Sequence, residues 1–174
     1  MSSNARILVF TGRGKGKTTA ALGMALRACG HGIRVLFIEF IKNSRSGELE
    51  AVKKFTGIEI IQMGLGFVFD KSNVEFADHK KAAEKGLRKA EQAIAGGDYQ
   101  LIVLDEICCA VASGLLEEKQ VVAVVEKAGA GSCVVLTGRD ATAGLVDLAD
   151  TVTEMRCVKH GMDFGTPAQK GVEL

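Results

Sequence analysis

At 174 residues the chain has the length of one domain, and residues 1–174 are read as a single unit with no room for a second. Twenty-two Lys and Arg against 21 Asp and Glu leave a net charge of +1, which excludes an overall field that would draw the chain onto nucleic acid or an anionic membrane. No apolar run approaches the roughly 20 residues of a membrane span, and no leader-like apolar segment precedes residue 7. Five cysteines, an odd number and none in C-x-x-C spacing, point to a reducing cytoplasm.

Residues 7–10 are a short apolar β-rich run, followed by a Gly/Lys cluster at 12–17 and a helical stretch at 18–29. A second strand spans 33–41, entered through the turn Gly30-His31-Gly32, and a third spans 58–63. Between 73 and 95 the apolar residues Phe76, Ala83, Leu87, Ala90 and Ile94 recur at helical spacing and build one face. Further strands follow at 101–104 and 133–137, with a weaker sixth at 151–157 and helical segments at 117–128 and 141–148. Short aliphatic strands alternating with helices predict an α/β fold whose mainly parallel sheet of six strands is covered on both faces. The stretches 42–48 and 64–73 lack periodicity and are candidate binding loops, while the chain after Lys159 is expected to run over the surface.

The strongest chemical signal is Thr11-Gly12-Arg13-Gly14-Lys15-Gly16-Lys17-Thr18-Thr19, set between a strand and a helix as a phosphate-binding loop must be. Glycines let successive N–H groups turn inward on a polyphosphate. The helix N-terminus adds about half a positive charge, and Lys17 adds a full one. Thr18 is placed to hold Mg²⁺ through its hydroxyl. The loop departs from G-x-x-x-x-G-K-[ST], because Thr11 stands where the first Gly is usual. Leu101-Ile-Val-Leu-Asp105-Glu106 delivers two carboxylates at a strand's end, where ligands collect in open α/β sheets. Either acid suits Mg²⁺, directly or through water, and the second could instead orient a hydrolytic water or cap the next helix. Phe67 and Phe69 lie in a Gly-rich loop, where covering a flat ligand competes with packing against the following helix. Arg27, two turns along the first helix, either reaches the nucleotide or pairs with a neighbour; Arg139, after the strand at 133–137, faces the same edge as the loop. Arg156, Lys159 and His160 form a small basic cluster, and Cys108 and Cys109 read as small apolar packing groups. These residues alone are also compatible with a P-loop ATPase or small-molecule kinase, or with a non-catalytic nucleotide-gated binding protein.

Taken together, the segments at 11–23, 26–32, 66–69, 103–107, 136–139, 149–160 and 168–171 resemble the P-loop type of ATP:corrinoid adenosyltransferases, over nearly the whole chain. The shortened loop is itself a trait of that family. The resemblance implies a three-layer RecA-like P-loop fold and transfer of the 5′-deoxyadenosyl group of ATP to Co(I) of a reduced corrinoid, with triphosphate leaving. It implies that residues 12–18 grip triphosphate, that Lys17 stabilises the leaving group, and that Thr18 with Glu106 holds Mg²⁺. Phe67 matches one of two aromatics that displace the corrinoid's lower axial ligand, and Phe69 stands where Trp is usual. A homodimer and a flavoprotein electron donor are the remaining expectations, with a shorter N-terminus than characterised relatives carry.

Overall fold

In the computed structural model, which describes residues 5–67 and 74–172, the chain alternates strands and helices. The elements are β1 Arg6–Thr11, α1 Lys17–Gly30, β2 Val35–Glu39, α2 Gly47–Val52, β3 Ile58–Gln62, α3 Phe76–Gly96, β4 Leu101–Asp105, α4 Ile107–Ala112, α5 Glu118–Val125, β5 Cys133–Thr137, α6 Ala143–Leu148 and β6 Thr151–Glu154. A short 3₁₀ helix spans Gly161–Phe164. The strands form one sheet in the order β3-β2-β4-β5-β1-β6. Every pairing is parallel.

The two-residue period of a strand sorts the side chains into two layers. Phe10, Val35, Phe37, Leu101, Val103 and Val135 pack with Ala21 and Ala25 of α1. The alternate residues, among them Val9, Leu36, Ile38, Leu104 and Leu136, pack with Ala83, Leu87 and Ala90 of α3, Ile107 of α4, Val121 of α5 and Leu145 of α6. This makes a three-layer α/β/α structure. Its central strands β2 and β4 are buried at every position, which is why they read as continuous apolar runs. Each fully buried Leu, Ile or Phe of these strands contributes about 1.5–3 kcal/mol relative to exposure. β6 is the opposite case, exposed throughout, short and polar, as a sheet edge should be.

Register brings the chemistry to one end. Glu39 pairs with Asp105 and Phe10 with Thr137, so Thr11, Glu39, Asp105, Thr137 and Glu154 share the C-terminal edge of the sheet. Two short helices depart from the sequence expectation. α2 occupies part of a stretch expected as loop, and α4 follows Asp105-Glu106 directly. Each has only six residues, too few to display a helical period.

Candidate functional site

The loop between β1 and α1 is shaped by two backbone requirements. Gly12 and Gly16 have φ of 95° and 116°, left-handed values that L side chains rarely adopt. Gly14 needs space instead: a Cβ there would stand 2.7 Å from the carbonyl oxygens of both Met155 and Arg156. The chain after β6 therefore backs the loop. Gly14 N–H donates to Met155 O at 2.6 Å and Met155 N–H to Thr11 O at 2.8 Å. Gly16 caps α1, whose N-terminus points into the loop.

Lys17 is buried, with Nζ donating to the carbonyls of Gly12 and Gly14 at 2.7 and 2.8 Å. Its ammonium thus lies across the loop's concavity. Lys15 reaches the other way, donating to Val172 O at 2.8 Å and tying the C-terminal segment to the loop. Exposed Arg13 leans toward Asp140, with 4.0 Å between Nη2 and Oδ1. Thr19 joins Lys17, Thr18, Glu106 and Arg139 in lining a cleft of about 610 Å³.

Behind the loop the carboxylates and hydroxyls form a buried relay. Thr18 Oγ1 donates to Asp105 Oδ1 at 2.9 Å, and Thr137 Oγ1 donates to the same oxygen at 2.7 Å. Thr137 Oγ1 in turn accepts the Glu106 N–H at 2.9 Å. Glu106 is left-handed, with φ of 62°, a strained turn that swings its side chain from the strand end to the cleft. Burial pushes the Asp105 carboxyl up to about 6, against the opposing pull of its hydrogen bonds and of Lys42. Among the described residues, Asp105 Oδ2 is buried without a hydrogen-bond partner.

That orphaned oxygen, beside a threonine hydroxyl and with the Glu106 carboxylate at the cleft, is the hard-oxygen donor set that Mg²⁺ takes. The residues fit a magnesium ion that completes its shell with phosphate and water. Among the described residues there is no group of three or more His, Cys, Asp or Glu that could cage an ion by itself.

A second pocket, of about 470 Å³, adjoins the first and shares Glu106 and Arg139 with it. Phe67, Ile41, Cys109 and Ala112 supply its apolar part. Phe67 is 60% exposed. Phe69 lies outside the described residues. Cys109 does more than the apolar packing expected of it. Its thiol donates to Glu106 Oε2 at 2.6 Å and its sulfur accepts the Arg139 N–H at 3.1 Å. Burial first, and then Glu106, pushes this thiol far up, so it stays protonated. Cys108 is fully buried, and burial takes it to about 12.

Of the residues expected in the site, Gly12, Arg13, Gly14, Lys15, Gly16, Lys17, Thr18, Thr19, Asp105, Glu106, Phe67 and Arg139 converge at this edge. Arg27 does not. It lines a separate cavity of about 740 Å³ with Arg6, Met24, His31 and Leu101, at the N-terminal end of the strands. The physical reason is helix direction: α1 runs away from the loop at 1.5 Å per residue, putting Arg27 about 15 Å along the axis from Lys17. Residue-by-residue reading missed Thr137, Glu39, Lys42, Glu48 and the backing by Met155. Glu39 had a visible signal, an acid ending an apolar strand as Asp105 does.

Comparison with known proteins agrees with this geometry. Residues 3–174 match the family described as ATP:corrinoid adenosyltransferase BtuR/CobO/CobP. A corrinoid adenosyltransferase of Pseudomonas aeruginosa is 42% identical over 170 residues, covering 97% of this chain and 83% of the relative. Another, of Escherichia coli (strain K12), is 38% identical over 96% of this chain and 84% of its own length. The corrinoid adenosyltransferase CobA of Salmonella typhimurium is 39% identical, over 96% and 84%. Among solved structures, the flagellar accessory protein FlaH from Methanocaldococcus jannaschii superposes with a TM-score of 0.58 at 12% identity, over 87% of this chain and 71% of that one. That likeness concerns the RecA-like P-loop fold alone. By family match, by identity along almost its whole length and by the loop and carboxylates just described, the chain belongs to the ATP:corrinoid adenosyltransferases and is an enzyme of that type.

Proposed function

We propose that ATP lies with its triphosphate in the loop of residues 12–18 and its ribose C5′ turned toward a corrinoid seated beside Phe67. The observation that carries this is the junction of the two pockets, which share Glu106 and Arg139, one lined by loop and lysine and the other by an exposed aromatic. The reduced corrinoid is the nucleophile. Its Co(I) electron pair forms the cobalt–carbon bond as C5′–O breaks, and triphosphate leaves with that bond's electrons.

The protein's part is positioning and charge stabilisation. Loop N–H groups and the α1 N-terminus face the departing triphosphate. Lys17 exchanges the Gly12 and Gly14 carbonyls for phosphate oxygens, and Thr18, Asp105 and Glu106 would hold magnesium. When bound, that ion neutralises charge on the leaving group. Arg13, Lys15, Thr19 and Arg139 line the phosphate side, while Phe67, with Phe69 by family resemblance, displaces the lower axial ligand and eases reduction to Co(I). A homodimer, a cytoplasmic location and a flavoprotein electron donor rest on family resemblance.

The test is an anaerobic turnover assay with MgATP and pre-reduced corrinoid, following the cobalt–carbon product spectroscopically and the nucleotide product by chromatography. Triphosphate and adenosylated corrinoid are expected in equal amounts, and Lys17→Ala should abolish both while unfolding normally in urea. Production of ADP would overturn the orientation of ATP, and full activity in Lys17→Ala would overturn the loop's role.

A further inference from the structure

A second lysine stands at the wall of the phosphate cleft. Lys42, just past the end of β2, has its Nζ 2.9 Å from Glu48 Oε1 and 3.6 Å from Glu39 Oε1. Lys42 and Glu48 both line the cleft that holds Lys17 and Thr18. Glu39 is wholly buried and is the register partner of Asp105 on the adjacent strand. Its Oε2 accepts from Gln62 at 2.7 Å, whereas its Oε1 has no hydrogen-bond partner among the described residues.

Three carboxylates, Glu39, Glu48 and Asp105, thus act on one ammonium. Burial pulls Lys42 down most strongly as a single influence, but the pairing with Glu48, Asp105 and Glu39 outweighs it and holds the group charged. An ammonium carries three donors. Glu48 takes one, and Glu39 at 3.6 Å is beyond hydrogen-bond range. Glu48 itself sits on α2, a six-residue helix, with its side chain 20% exposed at the same cleft. The arrangement is a cation with unused donors held at an anion site by a partner that lines the same cleft.

We propose that Lys42 is a second cation for the nucleotide's polyphosphate: as the anion enters, the ammonium leaves Glu48 for a phosphate oxygen, and Glu39 anchors it from behind. This rests on the reading of the cleft as the triphosphate site. A purely structural lysine would act differently, by screening Glu48 so that it does not repel the anion.

Calorimetric titration of the full chain with inorganic tripolyphosphate, with adenosine as the uncharged reference, separates the two. Lys42→Met should weaken tripolyphosphate by about tenfold or more, the loss of one charge-assisted contact, and leave adenosine unchanged. Glu48→Gln, which frees the ammonium, should bind tripolyphosphate at least as tightly as the unaltered chain. The double variant K42M/E48Q should remain as weak as K42M, and K42R should recover most of the affinity. Wild-type affinity in the double variant would mean that Lys42 only screens Glu48, and would overturn the proposal, as would wild-type affinity in K42M. Should K42M fail to fold, K42Q and K42Q/E48Q take its place with the same expected outcomes, and weaker binding in E48Q alone would also overturn the proposal. Lys17→Ala is the separate control: tripolyphosphate binding that survives it would overturn the cleft reading itself, whereas loss there with K42M unaffected would overturn Lys42 alone.

Discussion

Replacing Asp105 by Asn should stabilise the nucleotide-free protein and cripple its metal-dependent state, two opposite effects from one atom. The carboxyl is fully buried and is pushed from 3.8 up to about 6, burial being the largest cause. Its folded value lies above its unfolded one, so the fold binds the proton more tightly. Below about pH 4 both states are protonated and the group contributes no pH dependence. Between about pH 4 and 6 the unfolded chain ionises while the fold still holds its proton, and stability falls as pH rises. A shift of this size amounts to about 3 kcal/mol at most by pH 8. Asn keeps the shape and an oxygen that accepts from Thr18 and Thr137, and it carries no charge to desolvate. Urea unfolding of both proteins without nucleotide, at intervals from pH 4 to 8, should show a difference that starts near zero and grows to about 1–3 kcal/mol in favour of Asn. The same pair melted with excess MgATP should reverse order, because the donor set has lost its charged oxygen. A stability difference that does not change with pH, or an Asn variant that is the less stable at pH 8 without ligand, would refute the reasoning.

Gly14→Ala should force the loop off the Met155–Arg156 backbone, because its Cβ would stand 2.7 Å from two carbonyl oxygens that cannot move independently. The expected cost is about 1–3 kcal/mol of stability and at least a tenfold loss of ATP affinity, and an unchanged Kd by calorimetry would remove the backing role of that segment. Phe67→Ala should leave stability within about 0.5 kcal/mol, since the ring is 60% exposed. It should slow Co(II) reduction at least tenfold while sparing transfer from chemically pre-reduced Co(I), and equal losses in the two anaerobic assays would exclude displacement of the axial ligand.

The loop and the pair Asp105-Glu106 were legible because each is a local signal in a matching context, glycines and lysine between strand and helix, and acids ending an apolar strand. Strand positions were legible for a similar reason: a parallel sheet covered on both faces has no polar side, and its strands read as unbroken aliphatic runs. α2 and α4 escaped because six residues show less than two turns of periodicity. Thr137 and Met155 could not be found locally at all. Thr137 matters because β5 lies beside β4, which sets its hydroxyl on Asp105 32 residues away in the chain, and Met155 because β6 pairs with β1 across more than 100 residues; neither register is a local signal. Arg27 was assigned to the site by its helix, although a rise of 1.5 Å per residue already carries it away. Cys109 was hidden by its chemistry, since a thiol that bonds a carboxylate looks like any other small apolar residue in a run of Ile-Cys-Cys-Ala.

The side of the cleft opposite the loop bears on which atom of ATP reacts. A phosphoryl acceptor such as a hydroxyl or a water must lose a proton, and an enzyme that moves phosphorus positions a base for it. Two carboxylates line the second pocket: Glu106, one of whose oxygens accepts the Cys109 thiol at 2.6 Å, and Asp140, which faces Arg13 at 4.0 Å. The thiol itself stays protonated under burial and so offers no nucleophile of its own. Beside these groups the pocket presents an exposed aromatic ring with Ile41 and Ala112, a surface for a broad, flat substrate rimmed by polar groups. A nucleophile that arrives with its own electron pair and no proton to lose needs only to be held in line with its target carbon. A site rich in phosphate donors on one side, with an exposed aromatic face on the other, is suited to such a nucleophile.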